Sequence, residues 1–326
     1  MRYDSLKLYR ELFGIVQEEV FLAPYRLPHR FYHTLTHLDH NLDLMRMLAE
    51  EDVPEEYVIA NLFHDICYDP RRTDNEERSV QRFLDAAKPH LLRSVIADLI
   101  MTTKISMAKN LLTDADLWDL RHVIDVRSIQ IIERNIFKEF QNYNLHDFVT
   151  GRKKVLDAYA SEYYRSVAQT VFKYRVCVYP GSFNPLHIGH QSVIEQAEQV
   201  FDKVIIAVGI NPDKPNSLHT SADQAFPFHE VVAYNGLLTD FITDLEKQYG
   251  AYADFTVIRG LRNGADLSYE TNQLEFMRRM KPDIKVMFIP CDKTREHVSS
   301  SAIRALERFS PSEADKYEVK KYHYIA

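Results

Sequence analysis

The sequence predicts two domains of different fold class: an all-α helical bundle over residues 1–172 and an α/β domain with a Rossmann-like parallel sheet over residues 173–326. A chain of 326 residues is longer than one ordinary hydrophobic core organises. The first half reads as one helical pattern after another. From about Arg175 onward, short β-rich runs alternate with helical segments, which is typical of a parallel sheet with crossover helices.

The helical half begins with an amphipathic stripe, in which apolar residues recur at three-to-four spacing from Leu6 to Val20 and Pro24 closes the helix. Asp74 is a suitable N-cap for one of the later helices. The further helices are predicted, in chain order, at Leu38–Ala49, Glu55–Ile66, Asn75–Ala86, Leu91–Met101, near Val123–Gln141 and at Lys153–Tyr174.

In the second half, four short runs rich in β-branched residues are predicted to be strands: Val176–Tyr179, Lys203–Gly209, Phe255–Ile258 and Lys285–Ile289. Helices are predicted at Gln191–Val200 and Ala302–Arg308. Because ligands of open parallel sheets bind at the carboxyl ends of the strands, the loops that follow these strands are the candidate site.

Composition excludes several classes of function. The chain is 45% hydrophobic and 27% charged, as in ordinary soluble proteins, and its formal charge of −7 argues against a general nucleic-acid binder. The start, MRYDSLKLYRE, is charged too early for a signal peptide, and no apolar run reaches membrane-spanning length. Three widely spaced cysteines suit reduced thiols. We therefore expect a cytoplasmic protein that acts on small molecules, with no membrane or nucleic-acid partner.

A group of histidines and acids in the first half is typical of a metal site. Its members lie in apolar surroundings, where ionisable groups are costly to bury without a partner; they are His33, His37, His64, Asp65, Asp69, Asp114 and Asp116. Two histidines and two carboxylates would make a mixed nitrogen and oxygen site, which favours Mn, Fe, Co, Ni or Mg over structural zinc. Taken alone, the histidines would fit solvated surface residues equally well, and the acids would fit solvated or helix-capping residues.

The order His, His-Asp, Asp, within the segments YHTLTH, LFHDICYD, DNEERS and DADL, resembles the HD-domain phosphohydrolase superfamily over roughly Arg30–Leu120. The resemblance implies an HD-type helical bundle that hydrolyses a phosphoester with a divalent metal. The implied metal ligands are His37, His64, Asp65 and Asp116. It makes Asp69 a catalytic acid, with His33, Asn75 and Glu76 lining the pocket. A bundle that only senses nucleotides is the non-enzymatic alternative.

The segment Val176–His190 combines an apolar strand, a Pro-Gly break, a loop and the spacing His-x-Gly-His at the start of a helix. A helix N-terminus in this position favours an anion, most often a phosphate. Arg259 and Arg262, three apart after a strand, suit a polyphosphate. The run Ser299–Ser301 precedes a second helix whose N-terminus would also face phosphate.

These motifs resemble the nucleotidyltransferase superfamily with a His-x-Gly-His fingerprint over Arg175–Arg308. Within it, PGSF, FDKVIIAVGINPDK, GLLTDF, RGLR, DLSYE and SSSAIR are similar to phosphopantetheine adenylyltransferases. The resemblance implies AMP transfer from ATP, with Mg²⁺, to 4′-phosphopantetheine, and a homo-oligomer. The implied catalytic residues are His190, His187, Lys214 and Arg259. The implied ATP-binding residues are Ser182, Phe183, Arg262, Glu270, Ser299, Ser300 and Ser301.

Two residues depart from the phosphopantetheine adenylyltransferase pattern. Asn184 stands where that family usually has Asp, and His187 where it usually has Thr. Both resemble the adenylyltransferases of nicotinate or nicotinamide mononucleotide instead. The alternative interpretation is therefore an enzyme that adenylylates a mononucleotide, with the helical domain serving as a sensor or scaffold.

Overall fold

The computed structural model describes residues 2–49, 52–104, 109–210, 226 and 229–319. The chain forms two compact units. One comprises the residues up to Phe140 together with Arg152–Thr170, and the other comprises Gln141–Gly151 together with the residues from Val171 onward. The short segment joins the second unit because the Lys203 ammonium donates to the main-chain carbonyls of Gln141 and Tyr143, each at 2.6 Å.

The first unit is helical throughout its described residues. Its helices are α1 (Lys7–Phe13), α2 (Glu19–Leu22), α3 (Leu35–Leu48), α4 (Glu55–Phe63), α5 (Asn75–Ala86), α6 (Arg93–Met101), α7 (Leu111–Asp116), α8 (Trp118–His122), α9 (Val126–Glu139), α10 (Leu145–Tyr159, which begins in the second unit) and α11 (Glu162–Thr170). Two 3₁₀ turns lie at Tyr3–Ser5 and Ala23–Arg26. None of the described helices combines the length and apolar character that a membrane span requires.

Four aromatic rings from α1, α2, α4 and α5 form the centre of this unit's core. Phe13, Phe21, Phe63 and Phe83 are buried, with neighbouring centroids such as Phe21 and Phe63 4.9 Å apart and Phe63 and Phe83 5.3 Å apart. Every residue of α4 from Val58 to Phe63 is buried, including the polar Asn61, whose side chain donates to the Leu38 carbonyl, so this helix is surrounded by the other helices. Its last turn therefore delivers the residues that follow it into a protected position.

Several helix boundaries differ from the predicted ones. Helix α3 begins at Leu35, so His33 precedes the helix, although its ring centroid lies 5.6 Å from that of His37. Helix α4 ends at Phe63, which makes His64 its C-cap. The predicted helix Lys153–Tyr174 is divided between α10 and α11, because the chain turns at Ser161, whose N–H donates to the Leu120 carbonyl at 2.9 Å.

The second unit contains a parallel sheet of five strands among the described residues. They are β1 (Tyr174–Gly181), β2 (Lys203–Ile210), β3 (Glu230–Asn235), β4 (Ala253–Leu261) and β5 (Val286–Pro290), in the spatial order β3-β2-β1-β4-β5. The described helices are α12 (Ile188–Val200), α13 (Leu238–Tyr249), α14 (Gly264–Met280), α15 (Ser300–Glu307) and α16 (Pro311–Ala314). This is the Rossmann-like architecture that the sequence predicts, with β3 as an additional edge strand.

The central strand β1 explains where a ligand can bind. Val176, Cys177 and Val178 are fully buried, as expected for a strand that is covered on both faces. The strand order reverses at β1, since β2 and β3 lie on one side and β4 and β5 on the other. In such sheets the crevice at the carboxyl ends of the strands, at this reversal, is the binding position.

Candidate functional site

A cavity of about 370 Å³ opens at the carboxyl ends of β1 and β4, within the size range of small-molecule pockets. It is lined by Tyr179, His187, Gly189, His190, Val193, Gly260, Arg262, Cys291, Arg295, Val298, Ser299, Ser300 and Ser301. The structure therefore brings together the predicted residues His187, His190, Arg262 and Ser299–Ser301. They come from the start of α12, the end of β4 and the start of α15.

The two histidines of the His-x-Gly-His segment are stacked, with ring centroids 3.7 Å apart and planes inclined by 21°. His187 is the N-cap of α12, where its Nδ1 accepts the main-chain N–H groups of Gly189 at 3.2 Å and His190 at 3.4 Å. His190 Nδ1 in turn accepts the N–H of His187 at 3.4 Å. A ring nitrogen that accepts carries no proton, so the neutral rings are assigned their proton on Nε2. Both imidazoles can therefore donate an Nε2–H bond to an anion.

The electrostatics agree with neutral rings. Burial, with a smaller contribution from Arg262, lowers the pKa of His187 to about 4. Burial, followed by His187 and Arg262, holds the pKa of His190 well below its usual value. The first N–H groups of α12 are already bonded, since that of Ile188 donates to the Tyr317 carbonyl at 3.0 Å. The donors that this helix start offers to the cavity are thus the imidazoles.

The loop between β1 and α12 carries the predicted residues Ser182 and Phe183. Phe183 is buried in a left-handed conformation, with φ of +46°, and its ring meets that of His190 edge-on at 5.0 Å. This conformation is strained for a bulky residue and is characteristic of functional loops. Gly181 is required beneath the ring, because an added Cβ would lie 2.9 Å from it. Neither Ser182 nor Phe183 is among the described residues that line the cavity.

Both predicted arginines are paired with carboxylates of α14. Arg262 lines the cavity and binds Asp266 through two contacts at 2.7 and 2.8 Å. Arg259 binds Glu270 at 2.7 Å, so a predicted catalytic residue and a predicted ATP-binding residue neutralise each other here. A polyphosphate can displace an exposed carboxylate from a guanidinium because it offers more negative charge in the same geometry. Lys214 lies outside the described residues.

The start of α15 provides the other wall. Ser299 is its N-cap, with Oγ accepting the N–H of Ala302 at 3.1 Å, and Ser300 Oγ donates to the Pro185 carbonyl at 3.1 Å. The sequence analysis missed Arg295, which lines the cavity and donates to the Ile188 carbonyl at 3.0 Å. Its position four residues before the serine run was an available signal.

In the helical unit, the predicted metal ligands converge. Ligand atoms of His37, His64 and Asp65 lie within 4.8 Å of one another. Asp116 Oδ1 lies 3.1 Å from His37 Nε2 and 3.6 Å from His64 Nε2. The donor set is the mixed nitrogen and oxygen set that suits Mn, Fe, Co, Ni or Mg.

His64 provides the test of whether these residues fit a metal ion. Its Nδ1 donates to the Asn61 carbonyl at 2.8 Å, which fixes the ring. Its buried Nε2 lies 3.0 Å from Asp65 Oδ2, yet it makes no hydrogen bond within the described part of the chain. Metal-binding histidines commonly show this arrangement, with one nitrogen held by a carbonyl and the other facing the ion. The cluster therefore fits a divalent cation.

The cluster's charges also favour a cation. Burial opposes ionisation of Asp116, but the nearby imidazoles of His37 and His64 outweigh burial, and its pKa is lowered well below its usual value. The pKa of Asp65 is likewise lowered, chiefly because His64 outweighs its burial. Two ionised carboxylates thus face two imidazoles in a buried space.

The structure places Asp69 in an ion pair. Its carboxylate accepts two bonds from the Arg71 guanidinium at 2.7 and 2.8 Å, while the Asn75 side chain bonds to its main chain. Burial raises and Arg71 lowers the pKa of Asp69, with a net decrease. Asp69 is not among the clustered ligand atoms of the described residues, and its catalytic role stays a prediction.

Two supporting residues were not found from the sequence. Arg30 is buried, and its guanidinium donates to the main-chain carbonyls of His33, Asp65 and Ile66 at 3.2, 2.7 and 3.0 Å. It thereby ties the segment before α3 to the segment after α4. Glu139, the last residue of α9, binds His33 and is also buried. The only sequence signal was that each is a charged residue beside large apolar ones.

Comparison with known proteins concerns the C-terminal part of the chain. Residues 178–306 match the cytidylyltransferase-like family. The phosphopantetheine adenylyltransferase of Clostridium perfringens (strain SM101 / Type A) is 37% identical over 144 residues, which are 42% of this chain and 84% of that protein. Those of Kocuria rhizophila and Clostridium tetani are 35% and 32% identical, covering 40% and 41% of this chain and 83% and 84% of the relatives.

One solved structure, which carries the name nicotinate-nucleotide adenylyltransferase and comes from Vibrio parahaemolyticus, also aligns. It is 20% identical, with a TM-score of 0.34, over 45% of this chain and 88% of its own. That score is too low for the alignment to bear on fold or function.

Proposed function

Because this chain belongs to the cytidylyltransferase-like family and has phosphopantetheine adenylyltransferases among its relatives, we propose that its C-terminal unit transfers AMP from ATP to 4′-phosphopantetheine. The products are dephospho-coenzyme A and pyrophosphate. The observation that supports this most is that His187, His190, Arg262 and the start of α15 line one cavity of small-molecule size.

The residues of the cavity account for such a transfer. The acceptor phosphate is already a nucleophile, so the site needs no protein base. It must align that phosphate with the α-phosphorus and stabilise the charge that develops on the transferring group. The Nε2–H donors of His187 and His190 and the guanidiniums of Arg262 and Arg295 are suited to this task. Mg²⁺ bound to ATP supplies further charge neutralisation.

The alternative acceptor is nicotinate or nicotinamide mononucleotide. Asn184 and His187 favour it, since both depart from the phosphopantetheine adenylyltransferase pattern in the loop that leads to the cavity. The Asn184 carbonyl accepts a hydrogen bond from Arg304 of α15, so its main chain joins two walls of the cavity. The transfer reaction is the same in both cases, and the acceptor distinguishes them.

The test measures pyrophosphate release from ATP and Mg²⁺ with each acceptor in turn. We expect release with 4′-phosphopantetheine, and its loss in His190→Ala. His146→Ala is the matched control, because His146 is an exposed histidine of the same unit, and it should keep full activity. Pyrophosphate release with nicotinate or nicotinamide mononucleotide alone would make that mononucleotide the acceptor instead of 4′-phosphopantetheine.

For the helical unit we propose a divalent-metal phosphohydrolase of HD type. The cluster of His37, His64, Asp65 and Asp116, with the fixed ring of His64, supports this. A bound divalent ion would supply charge neutralisation for the phosphate and activation of the attacking water. The two imidazoles and two carboxylates would hold it, and the fusion suggests a substrate related to coenzyme A or a nucleotide.

The test incubates the purified protein with Mn²⁺ and a panel of nucleotides, coenzyme A-related phosphoesters and p-nitrophenyl phosphates. We expect hydrolysis of at least one compound, lost in His64→Ala and kept in His190→Ala. Bound metal without turnover would favour a nucleotide sensor. Neither metal nor turnover would favour a scaffold.

A further inference from the structure

Glu139 is a buried carboxylate that makes four contacts with one short segment. Its side chain is fully buried at the end of α9. Its Oε1 accepts the main-chain N–H groups of Phe31, Tyr32 and His33 at 2.8, 2.7 and 2.9 Å. Its Oε2 lies 2.6 Å from His33 Nδ1. These partners lie more than a hundred positions earlier in the sequence.

This arrangement fixes the proton on the His33 ring. Three N–H groups converge on Glu139 Oε1, an arrangement that stabilises the ionised carboxylate, which can only accept. The His33 nitrogen that faces it must therefore be Nδ1–H. The ring is also held by Tyr68, whose centroid is 4.1 Å away. The orientation and the tautomer of His33 thus both depend on Glu139.

The other ring nitrogen points toward the metal cluster. His33 Nε2 lies 3.9 Å from Asp65 Oδ2, so it approaches the cluster from the side of Asp65. Asp116 Oδ1, by contrast, lies 3.1 Å from His37 Nε2 and 3.6 Å from His64 Nε2, among the ligand atoms. His33 therefore borders the ligand set on the side of Asp65, at a distance that suits a water molecule between Nε2 and the cluster.

We propose that Glu139 is a positioning residue of the hydrolase site, which holds His33 so that Nε2 accepts a hydrogen bond from the water that attacks the phosphoester. The inference rests on the phosphohydrolase function proposed above. Acceptors that hold and orient the attacking water are a general requirement of phosphoester hydrolysis. A carboxylate behind the imidazole is the arrangement that sets the tautomer for such a role.

Glu139→Gln tests the proposal sharply. Three N–H donors still require an acceptor at the position of Oε1, so the new amide nitrogen must face His33. That nitrogen donates, which makes Nδ1 an acceptor and moves the ring proton to Nε2. The ring stays in place, but the atom that faces the site can no longer accept. Glu133→Gln is the matched control, because Glu133 lies on the same helix, is equally buried and binds Arg152 and Tyr164.

The measurements use the Mn²⁺-loaded full chain with bis(p-nitrophenyl) phosphate as the probe. We expect Glu139→Gln and His33→Ala to lower kcat about 10- to 100-fold, as loss of an orienting partner does elsewhere. KM and Mn²⁺ affinity should change less than about threefold. Glu133→Gln should keep kcat. Histidine ¹⁵N spectra, recorded with diamagnetic Mg²⁺ in place of Mn²⁺, should place the His33 proton on Nδ1 in the wild-type chain and on Nε2 in Glu139→Gln.

Three results would overturn the proposal. Unchanged kcat in Glu139→Gln despite the moved proton would remove the role of His33 and leave the hydrolase intact. A tenfold or larger fall in Mn²⁺ affinity in both variants would make His33 a metal ligand. Wild-type protein that binds Mn²⁺ but hydrolyses neither this probe nor any compound of the panel would refute the hydrolase function itself, and the inference with it.

Discussion

His187 is the N-cap of α12. Substitutions at this position should separate its contribution to stability from its contact with phosphate. Its Nδ1 accepts the N–H groups of Gly189 and His190 at the start of the helix, although the N–H of His190 also donates to the His187 carbonyl at 2.9 Å. Thr is a good N-cap and Ala a poor one, so His187→Thr should keep the stability of the wild-type chain. His187→Ala should lose about 1 kcal/mol, the usual cost of removing a cap.

The same geometry predicts a dependence on pH. The pKa of His187 is about 4 in the folded chain, against an ordinary value of 6.5. Above pH 6.5 the ring is neutral in both states. Between pH 6.5 and 4 the unfolded chain binds a proton that the folded chain does not, so stability falls as the pH is lowered, by up to about 3 kcal/mol. His187→Thr lacks this group and should lose less stability over the same interval.

Urea denaturation at pH 7.5 and pH 4.5, followed by the signal of the C-terminal unit, measures both effects. The histidines other than His190 contribute equally to the wild-type and variant curves, so the difference between the curves reports His187 together with its effect on the pKa of His190. If His187→Thr is as unstable as His187→Ala at pH 7.5, the capping argument is wrong. If His187→Thr loses as much stability between pH 7.5 and pH 4.5 as the wild-type chain does, the assignment of an unprotonated Nδ1 to His187 is wrong. Pyrophosphate release by the same variants then reports separately on phosphate contact.

Two further changes test the proposed metal site and the packing of the second unit. Asp116→Asn should weaken Mn²⁺ binding at least about tenfold by calorimetry, because a carboxylate oxygen 3.1 Å from His37 Nε2 is lost; unchanged affinity would exclude it as a ligand. Lys203→Met should cost about 3–5 kcal/mol in urea denaturation, because it leaves the Glu230 carboxylate and two main-chain carbonyls without their buried cation. A cost below about 1 kcal/mol, typical of an exposed ion pair, would mean that the segment beginning at Gln141 is held by something else.

The sequence predicts well those features that depend on a short stretch of neighbouring residues. The strands β1, β2, β4 and β5 were found because apolar β-branched runs have the same meaning wherever they occur, and the edge strand β3 was missed because it is only half-buried. The convergence of His187, His190, Arg262 and Ser299–Ser301 follows from a general property of parallel sheets, whose carboxyl ends share one edge. The ion pair of Arg259 with Glu270 does not follow from that property, since it depends on the distance between a strand end and the next helix.

What the sequence could not reveal is the support beneath each functional residue, because that support comes from far along the chain. The segment before α3 is held from one side by Glu139, through its N–H groups, and from the other by Arg30, through the His33 carbonyl. In sequence, Glu139 is one acid in an amphipathic helix and gives no sign of burial. A buried charge survives only if specific partners compensate it, and here those partners are the main chain and one imidazole of the site. Glu133 and Glu139 are the two acids of α9, and both are buried. Glu139 binds the segment that leads to the cluster, whereas Glu133 binds Arg152 and Tyr164. That contrast is why the two glutamates, substituted alike, should differ in their effect on hydrolysis.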